Sequence, residues 1–204
     1  MTFPTNESMP NVETLLEIAS TEGEQTLITE NIKRIASEID PEGNKKGLEL
    51  IEDVCAYVRT LLPRNGELER LYAEDNSTIY DKRSRSADEL LSEANLLPNR
   101  TRGRNISGCI ETGVITRAVL LARGFPCLYT ETLLKDWCDN YGAEYTPQNN
   151  SAPEMTGHVF IDVYDMESQE WYTVDPNDPE NTVHTYRDYT KDGMEFIYPK
   201  SARD

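Results

Sequence analysis

A thiol opening a helix, an imidazole opening a strand and a carboxylate closing the next strand are the groups in this 204-residue chain that could cooperate in acyl chemistry. Cys109 follows Ser107-Gly108 and begins a segment of helical periodicity. At such a position the first-turn N–H groups and the positive end of the helix dipole stabilise a thiolate. Gly108 has no Cβ, so the backbone can approach a substrate closely there. Arg100, Arg102 and Arg104 lie just upstream in an otherwise acidic chain and add positive potential. Arg104 is a candidate contact for an acidic substrate or a peptide carboxylate; the competing reading is a solvated loop balanced by surrounding acids.

A thiolate nucleophile needs a base, usually histidine, and a group that fixes the tautomer of that base. Two histidines exist. His158 stands behind Gly157 in Gly157-His158-Val159-Phe160-Ile161-Asp162-Val163-Tyr164, and Asp175 ends Trp171-Tyr172-Thr173-Val174-Asp175-Pro176. Antiparallel strands joined by a hairpin at 165–170 bring the start of one beside the end of the other. His158 and Asp175 are therefore expected side by side, with the helix of Cys109 across them. His184 has no acid or motif around it and is expected to be surface or structural. Trp137 and Tyr141, in what reads as a loop between strands, could line the cleft, with solvent-edge packing as the alternative. Gly108, Gly157, Trp137 and Arg104 are thus the candidate substrate contacts.

The elements that must position these groups are helices first and strands afterwards. Apolar residues at helical spacing predict one amphipathic helix over 25–39, carrying Leu27, Ile28, Ile32 and Ile35, and another over 46–62 that Pro63 stops. Ser86 with Glu89 three residues on is a capping-box pattern that starts a short helix to about residue 95. The helix from Cys109 runs to about residue 123, with Ile110, Val114, Ala118, Leu121 and Ala122 on its inner side, and Gly124-Phe125-Pro126 ends it. Extended segments follow at 127–133, 158–164, 171–174 and 195–198. The fold class is α+β, with an N-terminal helical region over 1–85 packing on a core over 86–204. Trp171 is expected to pack in the core beneath the three candidate catalytic groups.

Charge and composition narrow the function. Twenty Lys and Arg against 37 Asp and Glu leave a net charge of −17, which argues against nucleic acid or an anionic membrane as partner. No apolar run approaches the roughly 20 residues that a bilayer needs, and residues 1–7 lack a basic-then-apolar leader, so a cytoplasmic location is expected. The four cysteines form no CxxC pair, and with two histidines no structural zinc spacing arises. Cys55 reads as a core thiol in a helix stripe, Cys127 as a strand-core thiol and Cys138 as a loop thiol. The run from Asp175 to Glu180 lacks the spacing and glycine of a calcium loop and reads as a solvated turn.

The stretch Ser107-Gly108-Cys109-Ile110-Glu111-Thr112-Gly113, continuing through Val119-Leu120-Leu121-Ala122-Arg123-Gly124-Phe125-Pro126, resembles the nucleophile motif of the transglutaminase-like superfamily. The segment from His158 through Trp171 to Asp175-Pro176 is similar to the second half of that motif. The resemblance covers roughly 86–178. Phe125 stands where isoleucine is usual in the turn, and Phe160 where many members have tryptophan. What the resemblance implies is a papain-like core, a Cys109–His158–Asp175 triad, acyl transfer through a thioester and no cofactor or metal. Hydrolysis of a peptide or amide bond is the expected reaction, on a peptide or protein substrate. Amine transfer, or a catalytically silent binding or scaffolding domain, are the alternatives, and the oligomeric state is left open.

Overall fold

The computed structural model describes residues 12–62, 86–95, 108–141, 157–187, 190–191 and 194–197. Helices α1 (Val12–Ala19), α2 (Glu30–Ile39), α3 (Gly47–Leu61), α4 (Ala87–Asn95) and α5 (Cys109–Ala122) precede strand β1 (Cys127–Leu134). A short helix α6 (Lys135–Tyr141) follows, then β2 (Gly157–Asp165), β3 (Glu170–Val174), β4 (Val183–Thr185), β5 (Thr190–Lys191) and β6 (Met194–Ile197). The strands run in the order β4-β3-β2-β1-β6-β5 with antiparallel neighbours. The fold is α+β. Among the described residues no helix is long and apolar enough to cross a membrane.

The N-terminal helices and the sheet share one core, and α5 is its axis. Ile32, Ile35, Leu50, Val54 and Val58 from α2 and α3, with Leu90 and Leu91 from α4, meet Val114, Ile115, Ala118 and Val119 of α5. On the other side α5 meets Cys127 and Tyr129 of β1 and Val159, Ile161 and Val163 of β2. The expectation of an inner stripe on this helix is corrected: every residue from Glu111 to Leu121 is buried. Helix and sheet approach closely at Gly113, where a Cβ would stand 2.7 Å from Val159 Cγ1 and 3.0 Å from Tyr129 Cε2.

Arg117 shows how a polar residue is accommodated inside α5. It is 1 % exposed, and its guanidinium donates to the Cys127 carbonyl (3.1 Å), Thr26 Oγ1 (2.6 Å) and the Thr21 carbonyl (2.9 Å). Each acceptor is neutral, so the cation is solvated by oriented dipoles in place of water. The same three bonds tie residues 21–26 to the sheet.

Local sequence signals decide several element ends. Ser86 and Glu89 form the reciprocal box expected of them: Glu89 Oε2 accepts from the Ser86 N–H at 2.8 Å, and Ser86 Oγ accepts from the Glu89 N–H at 3.3 Å. The helix expected over 25–39 is instead a single 3-10 turn, Glu24–Thr26, followed by α2 from Glu30. Thr29 caps α2 by accepting from the Ile32 N–H, and a capped start at 30 leaves Leu27 half exposed outside the stripe. The supposed loop at 135–141 is α6, and Cys138 is a buried helical thiol. Trp171 is not beneath the candidate catalytic groups. It pairs with Tyr164 at the far end of the β2–β3 hairpin, about 20 Å of strand from His158, half buried between the Tyr164 and Tyr186 rings.

Gly113→Ala is expected to lower the free energy of unfolding by about 1–3 kcal/mol, read by urea denaturation, although alanine is the better helix former. An unchanged midpoint would mean that helix and sheet can part without loss at this contact.

Candidate active site

The first turn of α5 carries Cys109 at its leading residue. Gly108 is the N-cap, in extended conformation (φ −82°, ψ 169°), and offers no side chain to cap the helix. The first-turn N–H groups of such a helix start are suited to an anion. Cys109 is half-buried, whereas Cys55, Cys127 and Cys138 are buried. Burial pushes the Cys55 and Cys127 thiols up to about 12 in pKa and also raises Cys138.

His158 is the second residue of β2, opposite Thr132 of β1. Thr132 donates its hydroxyl to the His158 carbonyl at 2.9 Å. The last β2–β3 pair is Ile161 with Val174, so Asp175, one residue on, lies opposite Phe160 and diagonal to His158. The two are therefore diagonal neighbours across the hairpin. An imidazole reaches across that separation, and His158 Nε2 stands 3.0 Å from Asp175 Oδ2. The carboxylate is fully buried and the ring nearly so. Phe160 meets the imidazole edge-to-face, with centroids 4.8 Å apart, and walls this pair.

The Cys109 side chain is close enough to the ring to act on its titration, as a hydrogen-bond partner and by charge. Because Nε2 is engaged by Asp175, Nδ1 is the nitrogen left for sulfur. Burial works hardest on the His158 pKa and pulls it down, but the hydrogen bonds to Asp175 and Cys109, followed by their charges, outweigh it. The net result is a rise from 6.5 to about 9. The structure thus brings Cys109, His158 and Asp175 together.

The other sequence-named residues fare differently. Gly157 is a glycine for the sake of the sheet: a Cβ there would stand 2.1 Å from the Thr132 carbonyl oxygen. Trp137 falls in α6, but its side chain is outside the described residues, as are Arg100, Arg102 and Arg104. His184 sits on β4 and donates to the Asn181 carbonyl at 2.6 Å, away from the Cys109 group.

Sequence reasoning missed the support of Asp175. Its other oxygen, Oδ1, accepts from the Asn177 N–H at 2.9 Å, its own N–H donates to the Thr182 carbonyl at 2.8 Å, and Thr182 Oγ1 donates to the Asp178 carbonyl at 2.8 Å. The first of these is the turn that an Asp-Pro-Asn run favours and was legible. The second needs β4 to return beside β3, which no local pattern announced. Asn177 Nδ2 is buried without a hydrogen-bond partner among the described residues. No group of three or more His, Cys, Asp or Glu among them could hold a metal ion.

Comparison with known proteins returns no matching family model, no matching curated protein and no matching solved structure.

A raised pKa makes His158 protonation stabilise the fold, and the contribution is fully present below pH 6.5 and lost as pH rises through about 9. Its full size is on the order of 3 kcal/mol. The stability gap between wild type and His158→Gln, from chemical denaturation, is expected to be widest near pH 6 and to close toward pH 10. A gap that widens with pH would reverse this assignment.

Proposed function

We propose that the chain is a cysteine-dependent acyl-transfer enzyme of the transglutaminase-like class that hydrolyses a peptide or amide bond. The observation that carries this reading is the double engagement of His158, by Asp175 Oδ2 at 3.0 Å and by the Cys109 side chain. An imidazole clamped between a buried carboxylate and a thiol at a helix start is the geometry that nucleophilic catalysis needs. A helix-borne cysteine packed on an antiparallel sheet that supplies His and then Asp supports the papain-like core which the sequence motif implies.

In the proposed reaction His158 holds the proton of the Cys109 thiol and the thiolate adds to the substrate carbonyl. Charge on the resulting oxyanion is met by the Cys109 backbone N–H at the start of α5. Collapse breaks the C–N bond, and the imidazolium delivers its proton to the departing amine, leaving a thioester. A water that gives its proton to His158 then cleaves the thioester, releases the acid and restores the thiol. Asp175 keeps one tautomer and steadies the imidazolium, and does not itself accept the proton.

Alkylation by iodoacetamide at pH 6, mapped by mass spectrometry, is expected to modify Cys109 on the order of 10²-fold faster than Cys55, Cys127 or Cys138. His158→Ala should abolish that advantage, and Cys109→Ala should remove hydrolysis of peptide and amide substrates. Slow, equal labelling of the four thiols would instead favour a binding domain that keeps this fold without catalysis.

A further inference from the structure

Arg59, in the last turn of α3, is separated from the Asp175 loop by more than a hundred residues of chain and touches it directly. Its Nη1 donates to the Pro176 carbonyl at 3.1 Å, with a second acceptor, Thr182 Oγ1, at 3.4 Å. Among the described residues it pairs with no carboxylate. Its neutral acceptors cross-link α3 to the loop, as those of Arg117 cross-link α5, but the choice of this particular peptide as acceptor has a further reason.

That reason lies in the peptide it grips. The Pro176 carbonyl and the Asn177 N–H belong to one planar, trans peptide unit, and they point to opposite sides of it. Arg59 holds the oxygen side, while the N–H side donates to Asp175 Oδ1 at 2.9 Å. Asp175 Oδ2 faces His158 Nε2 at 3.0 Å. The result is an unbroken chain from cation to peptide to carboxylate to imidazole, with the Cys109 side chain near the ring. A cation on the carbonyl end polarises the peptide and strengthens its N–H as a donor, as in cooperative hydrogen-bond chains. A strong donor on Oδ1 fixes the rotation of the carboxyl and favours its ionised form.

We propose that Arg59 is a positioning residue that, through the Pro176–Asn177 peptide, sets the orientation and charge of Asp175 and thereby of His158. The inference rests on the catalytic reading of Cys109, His158 and Asp175 and names the group that holds its third member. Among the described residues, the charged and titratable groups around the pair include Cys109 on α5 and Arg59 with the buried Cys55 on α3. Of these, Arg59 alone is joined to the carboxylate through a peptide.

The test is the imidazole titration followed by proton–carbon NMR on the full chain, which is simple because His158 and His184 are its two histidines. Arg59→Met is expected to lower the His158 midpoint by roughly one unit or more, with His184 unmoved as internal control. Arg59→Lys, which keeps a cation without the planar fork, should fall between the two. A His158 midpoint within about 0.2 units of wild type in Arg59→Met would overturn the proposal. Should Arg59→Met not fold, the wild-type Asn177 amide proton decides. It is expected to shift in step with the His158 titration, and an amide indifferent to that titration would equally overturn the proposal. Because neither measurement requires turnover, a moved midpoint upholds the Arg59 clamp even if no substrate is cleaved, so the two readings fail separately.

Discussion

Between the first turns of α5 and the start of β2 there is no room for one methyl group, and the rest of the site depends on that closeness. A Cβ at position 113 would press on Val159 and Tyr129. Cys109 lies one turn upstream, about 6 Å along the helix, and His158 is the residue before Val159. The separation of sulfur and imidazole is therefore set by a backbone-to-side-chain contact in the core, not by the reacting groups themselves. From the other side α2, α3 and α4 press α5 onto the sheet. Helix, sheet and candidate site are thus one packing problem. A loss of core volume near Gly113 would be felt first as a misplaced thiol, since interiors packed at crystal density transmit small displacements.

An acidic surface contrasts with the interior, where arginines do the cross-linking. Arg117 bridges α5, β1 and residues 21–26, and Arg59 bridges α3 and the loop after β3. Both find carbonyl and hydroxyl acceptors, so neither depends on an opposite charge whose protonation could release it. Arg187 behaves differently: with Thr130 and Thr173 it donates to the fully buried Asp162, whose carboxyl is pushed upward in pKa by burial, with Arg187 pulling the other way. That network steadies the middle of the hairpin carrying His158 and Asp175. Because burial raises the Asp162 pKa, acid protonates it more readily in the fold than in the unfolded chain, so low pH weakens the Arg187 link without by itself destabilising the hairpin.

Local rules were legible in the sequence and long-range ones were not. The Ser86–Glu89 box, the end of α3 at Leu61, the hairpin before Trp171 and the opening of α5 at Cys109 each rest on a few contiguous residues, and each lies where its pattern places it. Seven-residue α6 was read as loop because a polar stretch that short has no clear period. The all-round burial of α5 was hidden because Glu111, Thr112, Thr116 and Arg117 look like a solvated face, while the protein supplies Arg117 with its partners from positions 21, 26 and 127. For the site, types and order pointed to Cys109, His158 and Asp175, but the diagonal placement of the last two follows from a register that only the pairing of β2 with β3 fixes. Arg59 could not be found at all from spacing: 117 residues separate it from the carbonyl it grips, and on its own helix it reads as one more solvated cation after a buried valine.

Cys55 gives the sharpest contrast for deciding what makes one thiol of four a candidate nucleophile. It lies on α3 one turn before Arg59, close enough to both Arg59 and Asp175 to feel their charges. Proximity to a cation and to the carboxylate is therefore not sufficient. Burial dominates its behaviour and pushes it up to about 12, so at neutral pH it remains a protonated core filler. Cys127 is equally buried and spends its S–H on the Arg117 carbonyl. Cys109 differs in position: it is partly open to solvent, starts a helix with no side-chain cap, and lies close enough to act on an imidazole that a carboxylate already holds. The distinction follows from where the backbone places each sulfur, and for Cys109 that placement depends on α5 lying as close to the sheet as Gly113 allows.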